Sequence, residues 1–114
     1  MRFMLMHYSN DDNENDVPPS PELMAEVGAY MEDAARSGVL LAAEGVRSSR
    51  HGARVTITDG EARVVDGPFA EAKELIAGFA IVDVKSKEEA IEHARRFARI
   101  VGATQVDVRQ VADF

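Results

Sequence analysis

Residues 2–8 are apolar at nearly every position from Phe3 to Met6, too uniform for a strand with one wet face. Such a strand is covered on both sides. His7 and Tyr8 end it, on opposite faces because side chains alternate along a strand. Ser20-Pro21-Glu22 opens a helix, with Ser as cap, Pro at the first position and acid in the first turn. Leu23, Val27, Tyr30, Met31 and Ala34 form one apolar stripe, and Gly38 ends the helix after Ser37. Val39–Ala43 is a second buried strand, closed by Glu44-Gly45. Ala53–Thr58 alternates, Asp59-Gly60 is a hairpin turn, and Glu61–Val65 returns, giving a hairpin with one face wet. Residues 75–84 are a long apolar strand, in which Gly78 signals a bulge or a close approach. Ser86-Lys87-Glu88-Glu89 is a capping box, Ala90, Ala94, Phe97, Ala98 and Val101 make the second helix's stripe, and Gly102 stops it. Thr104–Val111 alternates and is the last strand.

The order is β-α-β, a hairpin, then β-α-β. Without the hairpin this is the α+β ferredoxin-like βαββαβ unit, carrying an inserted β-hairpin within a single domain spanning 1–114. Both helices pack on one face of an antiparallel sheet. The other face still carries apolar side chains, a larger bare patch than monomers tolerate. A second copy, sheet against sheet, covers it, so the expectation is a two-fold homodimer.

Composition narrows the function classes. The chain has 114 residues, 46% of them hydrophobic, enough for one core. No stretch approaches the ~20 apolar residues of a membrane span. The apolar run at the N-terminus is too short for a signal peptide. There is no cysteine, hence no disulfide and no thiol chemistry, and a cytoplasmic setting is expected. A net charge of −7 argues against nucleic acid and against an anionic membrane surface as partners.

Chemistry concentrates in loops. Ser9–Pro18 is an acidic loop with an EF-hand flavour, and Glu22 falls at the twelfth place from Asp11. The glycine slot holds Asp16, however, and prolines interrupt the run, so it reads as a mobile acidic loop. Val46–Gly52 is a basic loop, expected to be solvated or to meet either an anion or the acidic loop. Between two apolar segments sits Asp66-Gly67-Pro68-Phe69-Ala70-Glu71-Ala72-Lys73-Glu74, a rigid turn that presents one carboxylate, one ring and a charge cluster. Asp66, or Glu44 at a buried strand end, is the candidate general base. Lys73 is placed to stabilise an oxyanion, Phe69 and Tyr8 to wall an apolar substrate, and His7 and Glu71 to contact it. His7, His51 and His93 fall in three different elements, so no metal site is expected, and no cofactor motif is present.

The Asp66–Glu74 run resembles the DGPF motif of the YCII-related family. Tyr8 at the end of the first strand, Gly38-Val39-Leu40-Leu41, Glu44-Gly45, Asp59-Gly60 and Gly78-Phe79 agree with it over nearly the whole chain. The resemblance implies a dimeric α/β barrel and a cleft near the motif loop. Many family members are encoded near extracytoplasmic-function sigma factors, which implies a functional link of that kind. YCII-type proteins proper carry a His and an Asp proposed as catalytic near the two ends of the first helix, where this chain reads Glu22 and Arg36. The expectation is therefore a homodimer that binds an unknown small molecule beside Asp66-Gly67-Pro68-Phe69, in a regulatory role. The alternative is a cofactor-independent lyase or isomerase using Asp66 or Glu44 as acid and base.

Overall fold

The computed structural model describes residues 1–114. The order is β1 (Arg2–Tyr8), α1 (Asp11–Glu14), α2 (Pro21–Arg36), β2 (Leu40–Gly45), β3 (Ala53–Thr58), β4 (Glu61–Asp66), β5 (Ile76–Asp83), α3 (Lys87–Val101) and β6 (Val106–Gln110). Single 3-10 turns lie at Ser49–His51 and Ala72–Glu74. Four strands form one sheet in the order β2-β5-β1-β6, every neighbouring pair antiparallel. This is the ferredoxin-like βαββαβ arrangement. The β3–β4 hairpin stands apart as a two-stranded sheet of its own.

Local chemistry sets the element ends. The Ser20 hydroxyl accepts from Leu23 N at 3.1 Å and the Ser86 hydroxyl from Glu89 N at 3.1 Å, each satisfying an orphan amide of a first turn. The Glu89 carboxylate reaches back to accept from Lys85 N at 2.8 Å. Gly102 adopts φ 68°, a left-handed conformation glycine takes without a Cβ penalty. The 9–18 segment departs from a plain loop. Asn10 Oδ1 accepts from Asn13 N at 2.8 Å and caps the one-turn helix α1.

The core lies between the sheet and the helices. Phe3 and Leu5 of β1 and Val82 of β5 meet Val84, Ala90 and Ala94. The two alanines let α3 come close to the sheet. Burying Phe3 and Leu5, which are 2% and 5% exposed, contributes roughly 2 kcal/mol each. Met4, Met6, Phe79 and Ile81 alternate with these residues, so they occupy the opposite face, away from the core, where they are half-buried. No helix is long and apolar enough to cross a membrane.

The hairpin corrects one expectation. Val55, Ile57 and Val64 share a face, and that face is as exposed as the polar one. Within a single chain both faces of the arm are wet.

Candidate functional site

Three loops meet where β1 and β2 end and β5 begins. Ser9 N donates to Leu75 O at 2.7 Å, and Val46 N donates to Ala77 O at 2.7 Å. The cap on α1 aims Glu14 at the basic loop, where its carboxylate accepts from Ser49 N at 3.0 Å and from the Ser49 hydroxyl. Those two bonds hold the Glu14 carboxyl below the usual carboxylate range, the hydroxyl contributing most. The Ser48 hydroxyl and Arg50 Nε both donate to Glu14 O, at 2.8 and 2.9 Å. His51 Nε2 lies 3.0 Å from Asp16 Oδ2. Of the partners open to the basic loop, the acidic loop is therefore the one it meets.

The motif fastens onto the same knot. Phe69 N donates to the Ser49 hydroxyl at 2.9 Å, and Gly67 N donates to Gly52 O at 3.0 Å. A Cβ on Gly67 would stand 1.7 Å from Ser49 O, so no other residue fits there unmoved. The Arg54 guanidinium lies 4.2 Å over the Phe69 ring, a cation–π contact. Beside it is a hollow of about 210 Å³ lined by Arg54, Phe69, Ala70, Glu71, Glu74 and Leu75. Lys73 is exposed in the 3-10 turn. Asp66 is exposed at the root of the arm, opposite Ala53.

Register builds a second feature on the uncovered face of the sheet. Glu44, Phe79, Met6 and Asp107 pair in one straight row across all four strands. Ala42, Ile81, Met4 and Arg109 form the neighbouring row. The two carboxylates of the first row stand three strand spacings apart, roughly 14 Å, with an aromatic and thioether floor between them. The Tyr8 hydroxyl donates to Asp107 Oδ2 at 2.6 Å, and this bond foremost raises the phenol's pKa. Tyr8 is thus neutral at pH 7. Its proton is committed to Asp107, while its oxygen still accepts.

His7 faces the other way, as its position in β1 requires. Its ring meets Phe97 edge-on at 5.3 Å, and a Cβ on Gly78 would stand 2.6 Å from its Nε2. Gly78 is a position of close approach, one of the two roles its sequence allowed. Burial lowers the His7 pKa. Of the candidates, Tyr8 and Glu44 share the open face and Phe69 and Glu71 share the hollow. His7, Asp66 and Lys73 lie outside both groups. Sequence reasoning passed over Asp107, Met6, Phe79, Arg54, Glu14 and Ser49. The alternation of β6 already put Asp107 on the face opposite Val106 and Val108, but its neighbours depend on register.

At the two ends of α2, Glu22 is exposed and Arg36 pairs with Glu32 at 2.9 Å, so the helix ends carry no acid–base pair. No three His, Cys, Asp or Glu side chains cluster closely enough to hold a metal ion.

A family model described as the YCII-related domain matches residues 1–114. The chain belongs to the YCII-related family. An uncharacterized protein, R00369 of Rhizobium meliloti (strain 1021), is 43% identical over 54 residues, 46% of this chain and 44% of that protein. That match spans less than half of the relative's length. Among solved structures, the 5-chloro-2-hydroxyhydroquinone dehydrochlorinase of Burkholderia phenoliruptrix AC1100, in complex with 2,5-dihydroxybenzoquinone, is similar in fold. Its TM-score is 0.56 at 13% identity, covering 100% of this chain and 96% of that one.

Proposed function

We propose that this YCII-related protein is a homodimer that binds a small molecule on the open sheet face, at the end where the motif loop sits. The observation that carries the reading is the Tyr8–Asp107 pair at one end of the Met6–Phe79 floor, with Glu44 at the other end of the row. An apolar floor takes a flat ring. Ionised carboxylates accept hydrogen bonds and do not donate them, so the ring bears hydroxyl or amine donors rather than acids. The dehydrochlorinase was solved with a flat dihydroxylated ring, 2,5-dihydroxybenzoquinone. A second copy, sheet against sheet, would cover Met4, Met6, Phe79 and Ile81 and close a barrel over the ligand. A regulatory role linked to a sigma factor rests on the family resemblance, and a cytoplasmic setting on the lack of cysteine alone.

Glu44 sits on the row, which favours one second reading. In an enzyme of lyase or isomerase type it would take a proton from the bound ring, whereas Asp66 lies off the platform.

The test is a thermal-shift series with hydroquinone, catechol and resorcinol. A ligand at ~100 times its dissociation constant adds about 2.7 kcal/mol, near ten degrees for a domain of this size. The shift is expected in wild type and lost in Asp107→Asn and Tyr8→Phe. Equal shifts in wild type and both variants would sink the site, as would no shift with any ring. Glu44→Gln that keeps the shift but stops consumption of the ring would select the enzyme.

A further inference from the structure

The β3–β4 arm carries a surface the chain itself does not use. Val55 pairs with Val64, Ile57 with Ala62 and Ala53 with Asp66, so these side chains share one face, apolar except for Asp66 at its root. Val55, Ile57 and Val64 are 63%, 66% and 67% exposed. The other face carries Arg54, Thr56, Thr58, Glu61 and Arg63, with Val65 as its one large apolar side chain. A lone two-stranded ribbon is marginal in water, and an uncovered apolar ribbon invites edge pairing. The alternation is thus written for a covered face that a single chain leaves bare.

We propose that the apolar face of the arm is an interface, and that its occupant is a second copy of this chain. The inference rests on the homodimer reading above and deepens it. Area supports the occupant. Four strands about 4.8 Å apart and about 20 Å long present roughly 400 Å² of open sheet face. A specific interface buries about 800 Å² on each partner. On the same spacings the arm adds roughly 200 Å². These are projected areas, and side chains standing up from the strands raise the accessible area further. The arm thus enlarges the face a second copy can cover by about half, toward the area of an ordinary stable dimer. Two-fold symmetry doubles the effect, since each copy covers and is covered.

The arm is also tied to the motif. Arg54 holds the Phe69 ring, and Gly67 N is bonded to Gly52 O just before β3. Covering the arm therefore steadies the loop that borders the ligand platform.

Sedimentation equilibrium on wild type, Val64→Glu and Thr56→Glu over nanomolar to high micromolar protein tests this. Val64→Glu is expected to weaken the dimer at least ~100-fold, because a carboxylate would be buried unpaired. Thr56→Glu, on the polar face of the same arm, is expected to leave it unchanged. If Val64→Glu dimerises as tightly as wild type, or if both variants weaken alike, the arm interface is wrong and the sheet-to-sheet dimer survives. A wild type that stays monomeric throughout overturns both. Val55→Cys adds a milder probe, since the chain has no other cysteine. Its thiol should label slowly when concentrated and fast when dilute. Equally fast labelling at both concentrations overturns the proposal without any folding defect.

Discussion

Gly67→Ala is the sharpest perturbation the motif offers. The added Cβ would lie 1.7 Å from Ser49 O, 2.6 Å from Ser49 C and 3.3 Å from Arg50 N. Every one of those atoms is backbone, so no side chain can swing aside. Ordinary contact distances demand that the 46–52 loop and the motif part by about 1.5–2 Å. That separation breaks Gly67 N to Gly52 O at 3.0 Å and Phe69 N to the Ser49 hydroxyl at 2.9 Å. Each bond is worth about 1 kcal/mol, and the displacement itself adds about 1–3 kcal/mol. Gly67 is absent from the positive-φ positions, so backbone strain contributes nothing. The stiffer unfolded chain returns about 0.5 kcal/mol. The net loss is about 3 kcal/mol, or roughly 12 °C in melting temperature. Calorimetry at one fixed protein concentration measures it, with Gly45→Ala as control because nothing stands within 4 Å of a Cβ there. Gly45→Ala should melt with wild type or slightly above it. If Gly67→Ala melts within about 2 °C of wild type, the loop knot is not held as described and the clash argument fails.

Two further outcomes follow from His7. Gly78→Ala would put a Cβ 2.6 Å from His7 Nε2, a side-chain tip that can turn, and 3.1 Å from Glu44 O, a tight backbone contact but far milder than the 1.7 Å at Gly67, so the loss should be smaller there. The cost of Gly78→Ala should be smaller when it is made in a His7→Ala background, and strict additivity in that cycle would show the two are not in contact. Burial lowers the pKa of His7, and burial first and Arg96 next lower that of His93, so both are bound neutral in the folded state. The stability this gives is whole above their ordinary value of 6.5 and is lost as pH falls below it toward the lowered values. Melting temperature should therefore drop between pH 7.5 and 5.5, and His7→Asn should flatten the slope. A slope unchanged in both His7→Asn and His93→Asn would refute the assignment.

Much of the fold is written in local chemistry. Ser20, Ser86, Gly38, Gly102 and Asp59-Gly60 each act within a few residues, so caps, stops and the hairpin turn can be read from spacing alone. The one-turn α1 was hidden because its cap, Asn10, sits in a run of acids and amides that reads equally well as a loop. The site was harder for a different reason. Glu14 and Ser49 are 35 residues apart, and nothing in either segment names the other. The Glu44–Phe79–Met6–Asp107 row depends on register, and irregularities between Leu40 and Ala42 and between His7 and Tyr8 reset it. A slip of one residue would send Glu44 or Asp107 to the helix side. The alternation of the arm was legible, but no element of its own chain covers the apolar face that alternation predicts.

The knot also explains why the motif need not be the chemistry. Glu14, Asp16, Ser49, Arg50 and His51 use their polar atoms within this set, and the motif's own amides are spent on Ser49 and Gly52. A group committed to holding a loop is poorly placed to bind substrate. What stays available at that end of the sheet is Glu44, the accepting oxygen of Tyr8, and the hollow beside Phe69. Binding on the platform benefits from neighbours that do not move, because ordering a loose loop would be subtracted from affinity. The motif is then a fastener whose value is rigidity. On that logic Gly67→Ala should weaken ligand binding without touching the ligand, whereas Asp107→Asn should weaken it while leaving the loops in place.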